Sequence, residues 1–272
     1  PDNYADYPQL IVGQWFSINP NASLYTVYGL DKSYYQIGYA PGNGWRERIG
    51  TYEISDNKII RKFVDGDEEL TSTYEIVDIT ADEFVYKKDA DADNYVHYRV
   101  KEQFDIKGNY TYLNAAARVV PAEGKTALQL PEGVTFNGQN SISIDAMHGD
   151  RIIDVMKKFF ADATFAADGK LNHTLEGETK VKNYTLNGNN LVFNLYEGSD
   201  TYKVNATSFP DEDGDRLFII IPKQAAWLGG MVDLVEKENE GLKLDAAQIA
   251  ALEKEFMDTF ETFTVILSLS KK

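Results

Sequence analysis

Tyr52-Glu53-Ile54-Ser55-Asp56-Asn57-Lys58-Ile59-Ile60-Arg61-Lys62-Phe63-Val64 is the stretch whose reading decides the fold. Two runs rich in β-branched and aromatic residues flank Asp56-Asn57, a pair that tolerates the left-handed backbone of a tight turn, so the stretch reads as an antiparallel hairpin. The same grammar continues on both sides. Candidate strands fall at 10–18, 23–28, 33–39, 47–54, 58–64, 69–77, 83–88 and 94–100, with further turns at Asp65-Gly66-Asp67, Ala81-Asp82 and 89–93. Eight short strands without a long helix predict closure into an antiparallel barrel, just wide enough for side chains or one small ligand. Residues 1–9, polar and proline-containing, read as an N-terminal tether, which leaves 10–102 for the barrel.

Gly13-Gln14-Trp15 opens the first strand, and Gly50-Thr51-Tyr52-Glu53-Ile54, Asn57-Lys58-Ile59, Tyr74-Glu75-Ile76 and Ile79-Thr80-Ala81-Asp82-Glu83-Phe84 follow in order. This ordered set resembles the lipocalin-like (calycin-type) domain of exported gut Bacteroidetes proteins, over residues 10–100. The resemblance implies a barrel, with the glycine allowing close backbone approach and the tryptophan filling one end. It also implies a lipoprotein or secreted protein of the cell envelope, but no specific function.

Residues 103–272 form a second, mixed region. Strands are expected at 108–120, from 163 onward, at 201–205, 216–221 and 263–269, with helices near 150–160, 224–239 and 245–260. Asp245 followed three residues later by Gln248 has the form of a capping box, and Ile249, Leu252, Phe256 and Phe260 form an apolar stripe behind it. A partial repeat joins the halves: Tyr52-x-Ile54-x-x-Asn57-x-Ile59 recurs as Tyr184-x-Leu186-x-x-Asn189-x-Leu191. The fold expected is therefore mainly β in two domains, a lipocalin-like barrel followed by a second β-barrel-like domain with helical insertions.

Composition narrows the function. The net charge of −16 repels phosphate backbones and anionic headgroups, so nucleic acid is excluded as a partner. The absence of cysteine removes disulfides, thiolate metal sites and a Cys nucleophile. No apolar run approaches the ~20 residues of a membrane-spanning helix. Because the sequence starts at Pro1, an export signal or lipid-anchor cysteine ahead of it is compatible with the envelope reading. The acidic clusters 89–93 and 211–215 lack the terminal Glu of a complete EF-hand loop and read as solvated turns. His97, His148 and His173 are widely spaced; His97, on the strand face opposite Val96 and Tyr98, reads as a surface residue, and His173 as part of a polar strand.

The aromatic residues are the most informative. Tyr35, Ile37 and Tyr39 share one strand face and Tyr34 and Gln36 the other, while Trp45 and Arg46 fall in a Pro/Gly/Asn-rich loop. Tyr35, Tyr39, Trp45 and Arg46 are the expected ligand-binding residues at a barrel mouth, where amphipathic rings stack on a sugar or an apolar ligand. The function expected is that of a non-catalytic envelope or secreted binding or accessory protein for a small amphipathic or saccharide-like ligand, needing neither cofactor nor metal. Its alternatives are an interaction module with filled barrels, docking on another envelope protein, and a hydrolase using paired carboxylates.

Overall fold

The computed structural model describes all residues except 1–3, 20–21, 41–43, 66, 91, 148, 196–201 and 212, together with the backbone alone at 18–19, 22–23, 39–40, 44–46 and 146. The chain divides into two compact units, Pro1–Val100 and Lys101–Lys272. Each unit is built on a closed eight-stranded antiparallel barrel.

The first barrel runs β1 (Gly13–Asn19), β2 (Ala22–Tyr28), β3 (Ser33–Ala40), β4 (Gly44–Ser55), β5 (Lys58–Asp65), β6 (Glu68–Ile79), β7 (Glu83–Lys87) and β8 (Tyr95–Arg99), each paired with its neighbour in sequence. β8 closes on β1 through only two residue pairs, Trp15 with Arg99 and Phe16 with Tyr98. A side chain completes this short seam. The Arg99 guanidinium lies 4.1 Å over the Trp15 ring and donates to the carbonyls of Leu10, Val12 and Ala81. Gly13 permits this approach: it holds φ at +134°, and a Cβ there would stand 2.6 Å from the Arg99 guanidinium.

The expected tether is instead a plug. Residues Tyr4–Asp6 and α1 (Tyr7–Leu10) form short helical turns, and Tyr7 and Ile11 are buried in the barrel core. Trp15 Nε1 donates to the Ile11 carbonyl at 2.8 Å, which ties the plug to the first strand. Tyr7, Leu10 and Ile11 supply apolar area that offsets the cost of ordering this polar segment.

The second barrel has the strand order β12-β13-β14-β15-β16-β17-β18-β9. Its strands are β9 (Gly108–Pro121), β12 (Ala163–Phe165), β13 (Lys170–Leu175), β14 (Glu178–Asn187), β15 (Asn190–Asn194), β16 (Lys203–Pro210), β17 (Arg216–Ile221) and β18 (Phe260–Lys271). Between β9 and β12 lie a small hairpin, β10 (Ala127–Gln129) with β11 (Ser141–Ser143), and α2 (Gly149–Phe159). Between β17 and β18 lie a 3-10 turn at Ala225–Leu228, α3 (Gly229–Glu238) and α4 (Ala246–Thr259). The capping box read from Asp245 and Gln248 is formed, both hydrogen bonds included.

The two barrels share their local bonds strand by strand. Asp56-Asn57 and Gly188-Asn189 turn hairpins of the same register, in which Tyr52 pairs with Arg61 and Tyr184 with Phe193. The Tyr52 hydroxyl donates to Gly29 O at 2.9 Å, and that of Tyr184 to Ala166 O at 2.6 Å. Gly13-Gln14-Trp15 has its counterpart in Gly108-Asn109-Tyr110, where Gly108 holds φ at +150° and the Tyr110 hydroxyl donates to Ile106 O, four residues back. The end of the last strand is fixed alike, by Arg99 N to Asp82 O and by Lys271 N to Asp215 O, each at 2.8 Å.

The stripe predicted for the last helix is buried: Leu252, Phe256 and Phe260 belong to the core of the second unit, and Phe256 meets the Phe260 and Phe263 rings at 5.2 Å. Phe256→Ala therefore opens a cavity and is expected to destabilise the second unit by about 3–5 kcal/mol. Chemical denaturation of the full chain measures it, and a change within error would show that the stripe does not hold the helix to the barrel.

Candidate functional site

Strand alternation sets which side chains of the first barrel face inward. Trp15, Tyr28, Tyr34, Tyr52, Ile59, Phe63, Phe84 and Tyr86 form its core, so residues two apart from them on each strand also point inside. These inward positions differ sharply along the barrel. At the plug end they are sealed. Toward the end where β3 turns into β4 and β5 into β6, Ser72 and Tyr74 are half-buried, Leu70 is 40% exposed and Tyr95 is 42% exposed. Among the described residues the inward positions are thus less covered toward this end.

Arg61 stands between the two ends, only 2% exposed. Tyr34, Tyr74 and Tyr86 surround its guanidinium, with ring centroids at 5.4, 4.5 and 5.0 Å. Its Nη1 donates to the Tyr34 hydroxyl at 3.4 Å, while Nε has no hydrogen-bond partner. Among the described residues no carboxylate forms an ion pair with it; the acid nearest in sequence, Asp65, pairs with Arg48 at 3.2 Å nearer the mouth. Tyr28 and Tyr86 supply no countercharge either. Burial holds the hydroxyls of Tyr28 and Tyr86 above their ordinary pKa, although Arg61 pulls both down, so both are neutral at pH 7.

Two more polar atoms beside Arg61 lack partners. Ser72, directly opposite Arg61 on β6, has a buried Oγ with no hydrogen bond. His97 is buried with its Nε2 at 3.1 Å from the Tyr86 hydroxyl and its Nδ1 unpartnered. Burial, and secondarily Arg61, pushes the His97 pKa down to about 3, so the imidazole is neutral and adds no positive charge of its own.

The second barrel shows what this architecture needs. Register places Phe193 where Arg61 stands, Val204 where Ser72 stands, Ile219 in place of Tyr86 and Leu269 in place of His97. All four are buried and apolar. A barrel of this design closes and packs without the cation, the hydroxyls or the imidazole. Buried ions without partners cost several kcal/mol, so their presence in the first barrel calls for another reason.

The residues singled out from sequence are placed as follows. Tyr35 alternates with the core residue Tyr34 and points to the outer face, half-buried between Val27 and Ile49. Tyr39 and Trp45 are paired across β3 and β4, with Arg46 opposite Gly38. Trp45 and Arg46 thus stand on strand backbone rather than in a loop, because the ladder continues to Ala40 and Gly44. The side chains of Tyr39, Trp45 and Arg46 lie outside the described residues, as does His148. His97 is a correction: it shares a face with Tyr95 and Arg99 as expected, but that face is the barrel interior. His173 is buried as well, covered by Phe159 of α2 at 4.0 Å between rings. Of the acidic clusters, Asp211 serves a turn, accepting from Arg216 N at 3.0 Å. Among the described residues no three His, Asp or Glu gather as metal ligands, and no helix is long and apolar enough to cross a membrane. Searches of protein-family models and of curated proteins find no match for this chain.

Arg61 and the Tyr cage were missed because alternation tells which residues share a face but not which face closes inward. One signal was present. Aligning the repeated hairpins sets Arg61 against Phe193, a charged residue against a core residue.

His97 carries a pH consequence. Its pKa is near 6.5 in the unfolded chain and about 3 when folded, so the unfolded state takes up the proton first as pH falls. Stability is lost between these values, by roughly 1.4 kcal/mol per pH unit. His97→Leu is expected to melt at a temperature that gains on the wild type progressively below pH 6.5. Parallel melting curves across that range would place His97 on the surface.

Proposed function

We propose that the first barrel is a non-catalytic binding site for a small anionic ligand of saccharide-like or amphipathic character, in an envelope or secreted accessory protein. The observation that carries this reading is Arg61, a buried cation with no carboxylate beside it among the described residues, in a barrel whose twin position is phenylalanine. A carboxylate, sulfate or phosphate entering from the Tyr95 side supplies the missing charge, with Arg61 Nε, Ser72 Oγ and His97 Nδ1 as free hydrogen-bonding groups. The rings of Tyr74, Tyr86 and Tyr95, which stack or meet edge-on at 5.1–6.3 Å, give the faces on which a sugar ring or apolar skeleton rests.

Binding here is stoichiometric rather than chemical. Arg61 is permanently charged and cannot act as a proton donor, and the depressed His97 is a weak base. Specificity follows from the depth of Arg61, which favours a slender anionic end over a bulky one.

The test is a panel of uronic-acid saccharides, hydroxylated steroid carboxylates and their neutral analogues, read by melting temperature and calorimetry on the full chain. Acidic members should stabilise the wild type and neutral ones should not, since a ligand stabilises through the native state it binds. Arg61→Leu is expected to abolish that response while leaving the ligand-free protein as stable or more stable by about 1–4 kcal/mol, as replacing a buried ion by an apolar residue often does. Trp45→Ala, at the mouth end of β4, is expected to weaken the response with little effect on ligand-free melting. A strongly destabilised Arg61→Leu together with a wild type that answers to no acid would make the cation a packing element.

A further inference from the structure

We propose that the second unit carries its own site, for an aliphatic chain with one anionic head. It is a cavity of about 260 Å³ between α2, the Ala225–Leu228 turn and α3. Ile152 and Val155 of α2 form one wall, Met231 and Leu234 of α3 the other, and Trp227 and Phe263 line it as well. Val155 and Leu234 are large apolar residues left in water, Leu234 at 56% exposure. The volume exceeds the ~150 Å³ that an engineered apolar cavity needs to bind benzene, and suits a medium-length acyl chain.

Charge decides the head group. In a chain with 43 acidic and 27 basic side chains, the one charged residue among the described residues lining this cavity is Arg151. Among the described residues no carboxylate pairs with it, although Asp150 and Asp154 are close in sequence. A bare hydrocarbon leaves this guanidinium unused, and an alkyl cation meets repulsion; an alkyl carboxylate, sulfate or phosphate satisfies both the walls and the rim. The chemistry differs from that of the first barrel, whose cation is sunk among tyrosines, and the observation is independent of it.

The experiment titrates the full chain with decanoate, decanol and decyltrimethylammonium by calorimetry. In the Arg61→Leu background, which removes the first-barrel cation, decanoate is expected to bind one per chain at this site and to outcompete the other two. Arg151→Gln, on an exposed residue, should weaken decanoate about tenfold, the factor that ~1.4 kcal/mol represents, and leave decanol unchanged. Leu234→Trp, which fills the mouth of the cavity, should remove both, and Arg61→Leu neither, so that failure here and failure of the first-barrel reading are separable. The proposal is overturned if the wild type does not bind decanoate, or if Arg151→Gln and Leu234→Trp bind it as the wild type does. It is also overturned if the chain self-associates through this face and Leu234→Asp disperses it without any effect of decanoate.

Discussion

The stack of Arg99 on Trp15 is the contact on which the first barrel depends. A closed sheet has no edge only if its last strand finds its first, and here that meeting comprises two residue pairs. So short a ladder supplies few hydrogen bonds, and the guanidinium makes up the difference by covering the indole and holding carbonyls from the plug, from the start of β1 and from the β6–β7 turn. One side chain thereby ties β8 to residues 10–15 and to the β6–β7 turn. The second barrel closes differently: β9 and β18 pair over almost their whole lengths, from Pro121 with Phe260 to Tyr110 with Lys271. There the lysine at the position of Arg99 is spared that work, and backbone hydrogen bonds carry the seam.

Once closure is assured at the end of the barrel, the middle is free to vary. Phe193, Val204, Ile219 and Leu269 pack the second interior with apolar volume. Arg61, Ser72, Tyr86 and His97 occupy the same levels of the first, and each adds a desolvation cost that apolar burial does not. The plug-end core of Trp15, Tyr28, Tyr52 and Phe84 is complete without them, with rings meeting at 5.0–6.1 Å. Stability and polarity are thus divided along one barrel axis: rings fill the plug end, and the other half holds the polar groups left without partners.

The hairpin code was legible in the sequence to a fine grain. Asp56-Asn57 predicts a hairpin turn, the repeat at Tyr184-x-Leu186-x-x-Asn189-x-Leu191 predicts a second of the same kind, and the flanking residues pair in the same register. What was not legible depends on three-dimensional closure. Pro1 to Pro8 has the composition of a tether, yet Tyr7 and Ile11 are buried because the barrel has an end to be filled. His97 has the alternation of a surface residue on a strand that is amphipathic in the reverse sense, with Tyr98 packed outside against Phe16 at 5.8 Å. Gly108-Asn109-Tyr110 escaped recognition because tyrosine replaces tryptophan; only the matched backbone torsion of the two glycines and the matched bonds to Ile11 and Ile106 reveal the correspondence.

The insertions explain why two barrels of one design differ in their access. In the second unit the segments joining β9 to β12 and β17 to β18 leave from the end opposite the Gly108 seam, and they contribute Met156, Phe159, Trp227, Val235 and Phe256 to the same core that the strands form. A barrel covered in this way gains apolar burial and does not require polar groups within. The first barrel carries no such insertion: β1 ends at Asn19 and β2 begins at Ala22, and β7 ends at Lys87 and β8 begins at Tyr95, whose side chain is 42% exposed. Among the described residues, the buried cation and the tyrosines around it belong to the barrel without inserted helices, and the apolar Phe193 and Ile219 to the barrel whose strands are interrupted by them.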